Sequence, residues 1–392
     1  MKQPVASFPE SSDQKRRNRM KKEQAKKIFT DLMNVAGICV NGNRPFDIRI
    51  HNDRFFKRVV ASPVLGLGES YMDGWWDCPA LDVFFEKTLR ADLPRQVRQD
   101  KVTVLNALMA KIFNLQTVQR AFTVGKHHYD IGNDLYKAML DKRMQYTCGY
   151  WKDTRDLDAA QEAKLEMICR KMALAPGMTL LELGCGFGGF ARYAAEKYQV
   201  SVTGYTVSEK QAQFGRDYCN GLPVDIRLND YRTASGTYDR ILSIGLMEHV
   251  GYKNYRTYME LTHRLLKADG IAFVHTIGGN VTSTICNPWT ARYIFPNSVL
   301  PSIAALGNAM EGLFVMEDWH NFGEDYDKTL MAWHSNFTAA WPRLKDRYGD
   351  RFYRMWEYYL LSCAGAFRAR SLQLWQIVLT RPGRPKPDCR IS

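Results

Sequence analysis

The stretch LLELGCGFGG, residues 180–189, joins a short apolar strand to a cluster of glycines, and a helical pattern follows it. Gly184, Gly186 and Gly189 fit the spacing G-x-G-x-x-G. A strand that turns sharply and lets a ligand approach its backbone needs residues without a Cβ atom. The stretch therefore predicts a strand–turn–helix unit whose turn contacts a small molecule.

The composition of this turn separates two classes of ligand. A dinucleotide would place its pyrophosphate beside the glycines, but the turn contains no Arg or Lys, and the carboxylate of Glu182 precedes Gly184 by two residues. A carboxylate suits an ammonium group better than a phosphate. S-adenosylmethionine carries an ammonium and a sulfonium but no phosphate, so it matches the turn better. A purely structural glycine turn remains the alternative.

The sequence around the turn repeats the same alternation of strands and helices. The predicted strands are 178–183, 200–205, 224–228, 238–244 and 271–275, and the predicted helices are 157–172, 190–198, 208–219 and 356–370. This alternation indicates an α/β fold with an open, mostly parallel, doubly wound sheet of the Rossmann-like type. In such a sheet, ligands bind at the carboxyl ends of the strands.

The second predicted strand ends without the acidic residue that usually binds ribose hydroxyls. Thr206 occupies this position, and Ser208 or Gln211 at the start of the next helix would supply neutral hydrogen bonds instead. Asp230 and Tyr231 follow the third strand, where they would meet an adenine amino group.

Composition and charge limit the class of protein. The chain has 392 residues, of which 45% are apolar and 24% charged, as in a folded protein with room for two domains. The formal net charge of +13 favours a polyanionic partner, either nucleic acid or an anionic bilayer. The basic N-terminal residues lack the apolar segment of a secretory signal, and Pro and Asn interrupt the longest uncharged stretches, so we expect no membrane span. The 9 scattered cysteines contain no C-x-x-C pair, which argues against a disulfide framework or a zinc site and fits a reducing cytoplasm.

The chain divides into four predicted segments. Residues 1–27 form a basic flexible arm, which is either a solvated tail or a lipid-contacting arm. Residues 28–122 form an N-terminal domain associated with lipid or membrane, 123–135 a linker, and 136–392 the α/β catalytic domain. The N-terminal domain contains one amphipathic stripe, which more often faces a protein core than a membrane and consists of Leu105, Leu108, Met109 and Ile112.

Longer motifs extend over nearly the whole chain, from about residue 28 to about residue 380. They are GLGESYMDGWW at 66–76, HYDIGND at 128–134, MQYTCGYW at 144–151, MEHVG at 247–251, HTIG at 275–278, MEDWHNFG at 316–323 and CAGAFR at 363–368. In these motifs and in their order, the sequence resembles the bacterial cyclopropane-fatty-acyl-phospholipid synthases, close relatives of the mycolic acid cyclopropane synthases. It departs from them at Phe187, where the family commonly has tryptophan, and in the arm, which lies outside the match.

The resemblance implies a reaction and a setting for it. The reaction is transfer of a methylene group from S-adenosylmethionine to the cis double bond of an unsaturated phospholipid acyl chain. The fold implied is an S-adenosylmethionine-dependent methyltransferase with a smaller, mainly helical N-terminal domain. A homodimer attached peripherally to the anionic inner face of the cytoplasmic membrane is implied as well.

This chemistry sets three demands on the site. Methyl transfer to an alkene leaves a carbocation, so the pocket must exclude water, tolerate positive charge and provide a base. Aromatic faces stabilise a cation without attacking it. The aromatic candidates, each of which taken alone is more often core packing, are Tyr146, Tyr150, Trp151, Trp319 and Tyr326.

The resemblance implies that the base is a bound bicarbonate ion. Its ligands carry over to Cys148, Glu248, His275 and Tyr326 and to the backbone of Ile277. Glu248 and an anion would repel each other unless they share a proton, which would raise the apparent pKa of the pair. Without the resemblance, His275 is more simply a histidine that caps a buried strand.

We do not expect Cys363 to have the catalytic role that descriptions of the family give to the matching cysteine. The reaction forms no acyl or phosphoryl intermediate, and a thiolate would itself accept the donor methyl. Cys363 is therefore expected to form part of the wall of the lipid pocket.

The predicted cofactor-binding residues are Tyr146, Thr147, Glu182, Gly184, Cys185, Gly186, Gly188, Gly189, Thr206, Ser208, Gln211, Asp230 and Tyr231. The side chains of Cys185 and His249 are taken as structural, and no metal ligand is predicted.

Two other functions stay open at this point. A related methyltransferase would give methyl-branched or hydroxylated acyl chains, or would methylate a small amine. The positive charge also permits a non-catalytic protein bound to nucleic acid, although the basic residues cluster in the arm and no nucleic-acid motif occurs, so we expect no nucleic-acid partner.

Overall fold

The computed structural model describes residues 12–93 and 132–391, with side chains from residue 23 onward. The stripe from Leu105 to Ile112 and most of the predicted linker 123–135 lie outside the described residues.

The described residues form the following helices and strands, numbered in chain order. The helices are α1 (Ser12–Val35), α2 (Arg54–Ala61), α3 (Pro63–Met72), α4 (Leu81–Arg90), α5 (Asn133–Met139), α6 (Leu157–Lys171), α7 (Gly189–Tyr198), α8 (Glu209–Tyr218), α9 (Met247–Val250), α10 (Tyr255–Leu265), α11 (Pro288–Tyr293), α12 (Ile303–Met310), α13 (Glu324–Tyr348) and α14 (Asp350–Arg368). The strands are β1 (Arg49–Ile50), β2 (Trp76–Asp77), β3 (Thr179–Leu183), β4 (Ser201–Thr206), β5 (Val224–Leu228), β6 (Tyr238–Ile244), β7 (Leu266–Gly279), β8 (Val315–Asn321) and β9 (Leu372–Thr380).

The main sheet of the described chain has the strand order β5-β4-β3-β6-β7-β9-β8. The strands from β5 to β7 are parallel to one another, whereas β9 is antiparallel to both β7 and β8. The predicted mostly parallel α/β sheet is therefore confirmed. The two antiparallel strands were not predicted.

Helices cover both faces of this sheet. On one face, Ile168 of α6 and Phe190 of α7 pack in a core with residues of the central strands. On the other face, Tyr258 of α10 and Leu306 of α12 pack in a second core. Both faces are buried, which explains why the parallel strands are nearly continuous apolar runs.

The glycine turn connects β3, in the middle of the parallel strands, to α7. Gly184, Gly186 and Gly188 have φ angles of +80°, +53° and +77°, a region that residues with a Cβ atom rarely adopt. At Gly189 a Cβ atom would overlap the carbonyl oxygen of Arg143. The glycines are thus required by backbone conformation and by close packing.

Strand β7 is longer than predicted and extends beyond residues 271–275 at both ends. Its pairing with β9 continues to Gly279, because Gly279 lies opposite Leu372 in the antiparallel register. As a result, His275 and Ile277 lie on one continuous strand.

The N-terminal helices pack against the long helical hairpin formed by α13 and α14. Tyr71 of α3 and Phe85 of α4 lie 5.7 and 5.2 Å from the ring of Tyr358 on α14. Arg368 of α14 donates to Asp82 of α4 at 2.8 Å. The predicted N-terminal and catalytic domains therefore share one hydrophobic core in the described part of the chain.

Helix α1 corrects the predicted start of ordered structure near residue 28. It begins at Ser12, inside the segment predicted to be a flexible arm. Ala25, Phe29 and Met33 are spaced by one helical turn and are buried, and Phe29 lies 4.9 Å from the ring of Phe55. The residues before them are mostly good helix formers, so the helix extends back from this packed end.

No helix within residues 12–93 or 132–391 has both the length and the apolar content needed to cross a bilayer.

Candidate active site

A cavity of about 180 Å³ lies at the carboxyl ends of the parallel strands, beside the glycine turn. This is the edge of an open α/β sheet at which ligands bind. The predicted cofactor-binding residues that line it are Tyr146, Thr147, Glu182, Gly184, Cys185, Gly186, Thr206, Gln211, Asp230 and Tyr231.

Three predicted cofactor-binding residues do not line the cavity. Gly188 and Gly189 form the start of α7, where they allow the turn to pack closely. The side-chain oxygen of Ser208 accepts a hydrogen bond from the backbone N–H of Gln211 at 3.3 Å and caps α8. The structure gives these residues a role in shaping the neighbouring elements.

Glu182 is a buried acid on the wall of the cavity. Its side chain is 2% exposed, and its Oε2 atom has no hydrogen-bond partner among the described residues. Burial raises the pKa of Glu182 to about 8, while the positive charge of Lys164 opposes this rise. A buried carboxyl group with one unpartnered oxygen is suited to bind a cationic group such as an ammonium.

Asp230 holds a fixed position on the opposite side of the turn. Its two carboxylate oxygens accept hydrogen bonds from the Nε and Nη2 atoms of Arg232, each at 2.7 Å. Next to it, the Thr206 hydroxyl donates to Oε1 of Gln211 at 3.1 Å. The wall at the ends of β4 and β5 is therefore polar and rigid, as binding of a ribose and a base requires.

Sequence reasoning missed part of the wall. The missed lining residues are Met144, Gln145, Phe187, Phe190, Tyr205, Val207, Asn229, Arg232, Ile244, Gly245, Leu246, His249, Val250, Pro296 and Asn297. Gly245 and Leu246 directly follow β6, so the rule that ligands bind at strand ends could have found them. Pro296 and Asn297 come from a distant loop, for which the sequence carries no such signal.

His249, for which the sequence predicts only a structural role, also lines the cavity. Its ring lies 5.4 Å from that of Phe295, and burial lowers its pKa to about 4. His249 is therefore a neutral wall residue at physiological pH.

Glu248 and Ile277 are joined directly. Glu248 lies on α9, just after β6, and its Oε1 atom accepts a hydrogen bond from the backbone N–H of Ile277 at 2.6 Å. The other oxygen, Oε2, is buried without a hydrogen-bond partner among the described residues. Burial raises the pKa of Glu248 to about 7. Glu248 thus engages the Ile277 N–H in this structure, and the backbone role that the resemblance implies for Ile277 stays a prediction.

His275 lies two residues before Ile277 on the same strand and is 1% exposed. Its Nδ1 atom is 3.4 Å from Nε2 of Gln376, which lies directly opposite it on β9. Its Nε2 atom has no hydrogen-bond partner among the described residues. Burial lowers the pKa of His275, and the charges of Lys164 and Lys171 act in the same direction. The imidazole is therefore neutral.

Tyr326 and Cys148 are brought together by Thr329. Tyr326 and Thr329 lie one turn apart on α13, and the Thr329 hydroxyl is 3.9 Å from the Cys148 sulfur. Burial raises the pKa of Tyr326 well above its usual value, and the nearby Cys148 and Glu248 raise it further. Cys148, Glu248 and Tyr326 thus belong to one electrostatic neighbourhood.

Aromatic rings surround this neighbourhood. Tyr326 stacks on Phe367 at 4.6 Å, and Trp333 lies 5.2 Å from Tyr146. Tyr150 packs 5.5 Å from Phe322.

The last two aromatic candidates differ in position: Trp151 contacts this neighbourhood, whereas Trp319 does not. The indole N–H of Trp151 donates to the Thr329 hydroxyl at 2.8 Å. Trp319 packs 5.2 Å from Trp375 in the core on the opposite face of the sheet, so its proposal as a cation contact is wrong.

Cys363 lies on α14 and is half-buried beside the same core. Burial raises the pKa of its thiol to about 12. The protonated thiol is a poor nucleophile, which agrees with a place in the pocket wall.

The residues described here include no group of three or more His, Cys, Asp or Glu that could hold a metal ion. The arrangement instead offers a cavity with a buried acid for a cationic nucleoside. Near it lies a cluster of buried side chains that contains an acid, a neutral imidazole and aromatic rings. Such a cluster is able to stabilise positive charge and to move a proton.

Comparison with known proteins supports this reading. The family model for mycolic acid cyclopropane synthetase matches residues 116–377. The cyclopropane-fatty-acyl-phospholipid synthase of Escherichia coli (strain K12) is 54% identical over 355 residues, which are 91% of this chain and 93% of that protein. The solved structure of mycolic acid cyclopropane synthase CmaA1 complexed with SAH and CTAB is 30% identical, with a TM-score of 0.62 over 66% of this chain and 98% of that chain.

A more distant structure shows how widely the fold is used. Coclaurine N-methyltransferase is 20% identical with a TM-score of 0.67, covering 82% of this chain and 100% of that chain, and it supports the methyltransferase fold alone. The family match and the E. coli relative go further: the chain belongs to the mycolic acid cyclopropane synthetase family and is an S-adenosylmethionine-dependent methyltransferase.

Proposed function

We propose that the protein transfers a methylene group from S-adenosylmethionine to the cis double bond of an unsaturated phospholipid acyl chain. The observation that carries this proposal is that two buried atoms, Glu248 Oε2 and His275 Nε2, have no hydrogen-bond partner among the described residues, on elements that end beside the cavity of the glycine turn. The 54% identity to the E. coli phospholipid synthase, over 93% of its length, supports the same substrate class.

The cavity beside the glycine turn is proposed to bind the methyl donor. The donor supplies a methyl group activated by a sulfonium. Glu182 would bind its ammonium group, while the polar wall of Thr206, Gln211 and Asp230 would bind the nucleoside. Tyr146 and Thr147 line the same cavity and lead directly to Cys148. We take the buried cluster of Cys148, Glu248, His275 and Tyr326 with its surrounding rings as the acyl pocket, which would then adjoin the donor site.

The acyl pocket protects a cationic intermediate. Each aromatic face near the double bond contributes about 0.5–2 kcal/mol to a cation in a dry site. Tyr146, Trp333 and Tyr326 are held in place by ring contacts, and Trp333 and Tyr326 are buried. Because water would trap the cation as an alcohol, this burial decides which product forms.

The proton that the new methyl group must lose requires an acceptor. The buried Oε2 of Glu248, Nε2 of His275 and the side chain of Tyr326 fit a small oxyanion such as bicarbonate, which when bound would supply a weak base in a pocket that excludes water. With a pKa of about 7, Glu248 is able to carry a proton at neutral pH and donate it to an anion. The neutral His275 would donate from Nε2 if Gln376 donates to Nδ1.

Membrane attachment and a dimer are further parts of the proposal. The net charge of +13 favours an anionic membrane surface at the inner face of the cytoplasmic membrane. The apolar side chains of Ile28, Val60 and Val64 on the N-terminal helices are 42%, 39% and 40% exposed. A homodimer follows from the family resemblance, and analytical ultracentrifugation of the full chain would test it.

The test of the reaction is product analysis in vitro. The full chain is incubated with S-adenosylmethionine and vesicles of a phospholipid with cis-monounsaturated chains, and the lipids are analysed by mass spectrometry and proton NMR. We expect one added CH₂ per acyl chain, loss of olefinic protons and new cyclopropane protons. An added CH₂ with olefinic protons retained would indicate methyl branching, and a further added water would indicate hydroxylation; either result would overturn ring formation.

A further inference from the structure

Helix α6 carries two lysines whose side chains are completely buried. Lys164 and Lys171 are seven positions apart on this helix, and each is 0% exposed. A buried ammonium group is costly unless its hydrogen bonds are satisfied. The partners of Lys171 are Asp318 and His320, each at 3.1 Å, which lie on β8 at the edge of the sheet.

Lys164 has different partners, which belong to the wall of the donor cavity. Its Nζ atom donates to Oε1 of Gln145 at 2.6 Å and to the hydroxyl of Thr147 at 3.0 Å. From the same helix, Nε2 of Gln161 donates to the backbone oxygen of Thr147 at 2.7 Å. Gln145 and Thr147 line the cavity, whereas Lys164 itself does not.

We propose that Lys164 is a positioning residue that fixes segment 145–147 as the wall of the methyl-donor cavity and thereby sets the affinity for the donor. This inference rests on the proposal that the cavity binds the donor. It concerns a lysine that approaches the ligand only through Gln145 and Thr147.

The charge of Lys164 supports the same role. Both of its hydrogen-bond partners are neutral oxygens, and among the described residues no carboxylate forms an ion pair with it. Burial lowers the pKa of Lys164 to about 8, which the charges of Asp141 and Glu182 oppose. Lys164 and Glu182 each favour the charged form of the other, so loss of the lysine would also make Glu182 a poorer partner for a cationic group.

Lys171 provides a matched control, because it is equally buried and lies on the same helix. The variants are Lys164→Met and Lys171→Met in the full chain, and the ligand is S-adenosylhomocysteine, titrated by isothermal calorimetry. We expect about tenfold or greater loss of affinity in Lys164→Met, since the variant loses two hydrogen bonds from a charged group to the cavity wall. Lys171→Met is expected to change the affinity by less than about twofold, because its partners lie outside the cavity.

Steady-state kinetics give a readout that a purely structural effect would not reproduce. In Lys164→Met, the KM for S-adenosylmethionine should rise much more than the KM for phospholipid, and Lys164→Gln, which keeps a donor, should recover part of the loss. If Lys164→Met does not fold, Lys164→Gln takes its place in the calorimetry, and Lys171→Gln becomes its control.

Two results would overturn the proposal. One is a loss of affinity below about fivefold in the Lys164 variant, and the other is an equal loss in the Lys164 and Lys171 variants. If instead the unmodified chain does not bind S-adenosylhomocysteine, the assignment of the donor cavity fails, independently of Lys164.

Discussion

The surroundings of Glu248 act in opposite directions on its charged and neutral forms. The hydrogen bond from the Ile277 N–H stabilises the charged form of Glu248, whereas burial of the carboxyl group favours the neutral form. The effect of burial is the larger of the two, so the pKa of Glu248 rises from 4.5 to about 7. A group that gains or loses its proton near neutral pH is suited to share a proton with a bound anion.

The raised pKa of Glu248 makes the folded protein less stable at high pH than at low pH. Between pH 4.5 and about 7, the folded protein holds a proton on Glu248 that the unfolded chain has lost, so the free energy of unfolding falls as pH rises through this window. The shift lowers the free energy of unfolding by roughly 3 kcal/mol at pH 8 and has no effect on it at pH 4.

Replacement of Glu248 by Gln tests both statements. Glu248→Gln should lower kcat by about 100-fold or more, because the variant no longer exchanges a proton. It should also raise the melting temperature more at pH 8 than at pH 5, measured by calorimetry. The control is Glu260→Gln, which changes an exposed glutamate on α10. Equal thermal shifts at the two pH values, or kcat within about threefold of the original, would contradict the expectation.

At Cys363, the structure disagrees with the catalytic role that descriptions of the family give to the matching cysteine. With a thiol pKa near 12, it is protonated at neutral pH. Cys363→Ser should keep about a tenth or more of the activity, because it changes a wall contact and removes no reacting group. Cys78→Ser, in a buried site between the N-terminal helices, reports the general cost of such an exchange. Activity below about one per cent in Cys363→Ser alone would restore a catalytic role.

At the scale of elements, the pairing of β7 with β9 places Gln376 opposite His275. With the Gln376 amide N–H directed at Nδ1, a neutral His275 must carry its proton on Nε2, on the side that has no protein partner. The strand pairing would thus make His275 a hydrogen-bond donor toward the pocket and leave proton acceptance to other groups.

Nitrogen-15 NMR of the histidine-labelled protein would detect this tautomer, with the His275 signals identified by loss in His275→Asn. We expect the Nε2-protonated form in the unmodified chain. In Gln376→Glu the carboxylate would accept from Nδ1, move the proton there and lower kcat by about tenfold or more. Gln373→Glu, on the same strand, should leave the tautomer unchanged. An Nδ1-protonated His275 in the unmodified protein would contradict the assignment.

The same elements show what the sequence reveals and what it does not. The glycine turn after β3 is predicted correctly because its requirements are local. Glu248 and His275 are expected near one edge because Glu248 follows the predicted strand 238–244 and His275 ends the predicted strand 271–275. Their detailed contacts depend on register: the Ile277 N–H meets Glu248 only because β7 extends past His275. The burial of Lys164 could not be predicted for another reason: a lysine in an amphipathic helix normally indicates an exposed position.

At the scale of the whole molecule, the N-terminal helices and the catalytic part are not independent. Helix α1 packs through Phe29 on α2, and the N-terminal helices pack on α14, which carries Cys363. A deletion of residues 1–27 would remove the buried Ala25 and disturb this shared core. The role of the basic arm is therefore better tested by removing charges than by removing chain.

Neutralising the N-terminal charges should weaken membrane binding without weakening catalysis. The variant changes four basic residues to glutamine, a good helix former, so that α1 is kept; they are Lys15, Arg16, Arg17 and Arg19. Each cation near an anionic bilayer contributes about 1 kcal/mol, so partition onto vesicles containing phosphatidylglycerol should fall by at least about tenfold at low salt. Activity on the same lipid dispersed in detergent should change little, because the described residues that line the cavity all come from residue 144 onward.

The control for this experiment removes the same charge elsewhere in the chain, by replacing the exposed residues Arg170, Lys197, Lys210 and Lys345 with glutamine. Both variants have the same net charge, so a general attraction of a basic protein to an anionic surface would weaken equally in the two. A specific contact of α1 with the membrane would weaken only in the first. Equal loss of vesicle binding in the two variants, or a parallel loss of activity in detergent, would show that the N-terminal cations do not serve as a membrane contact.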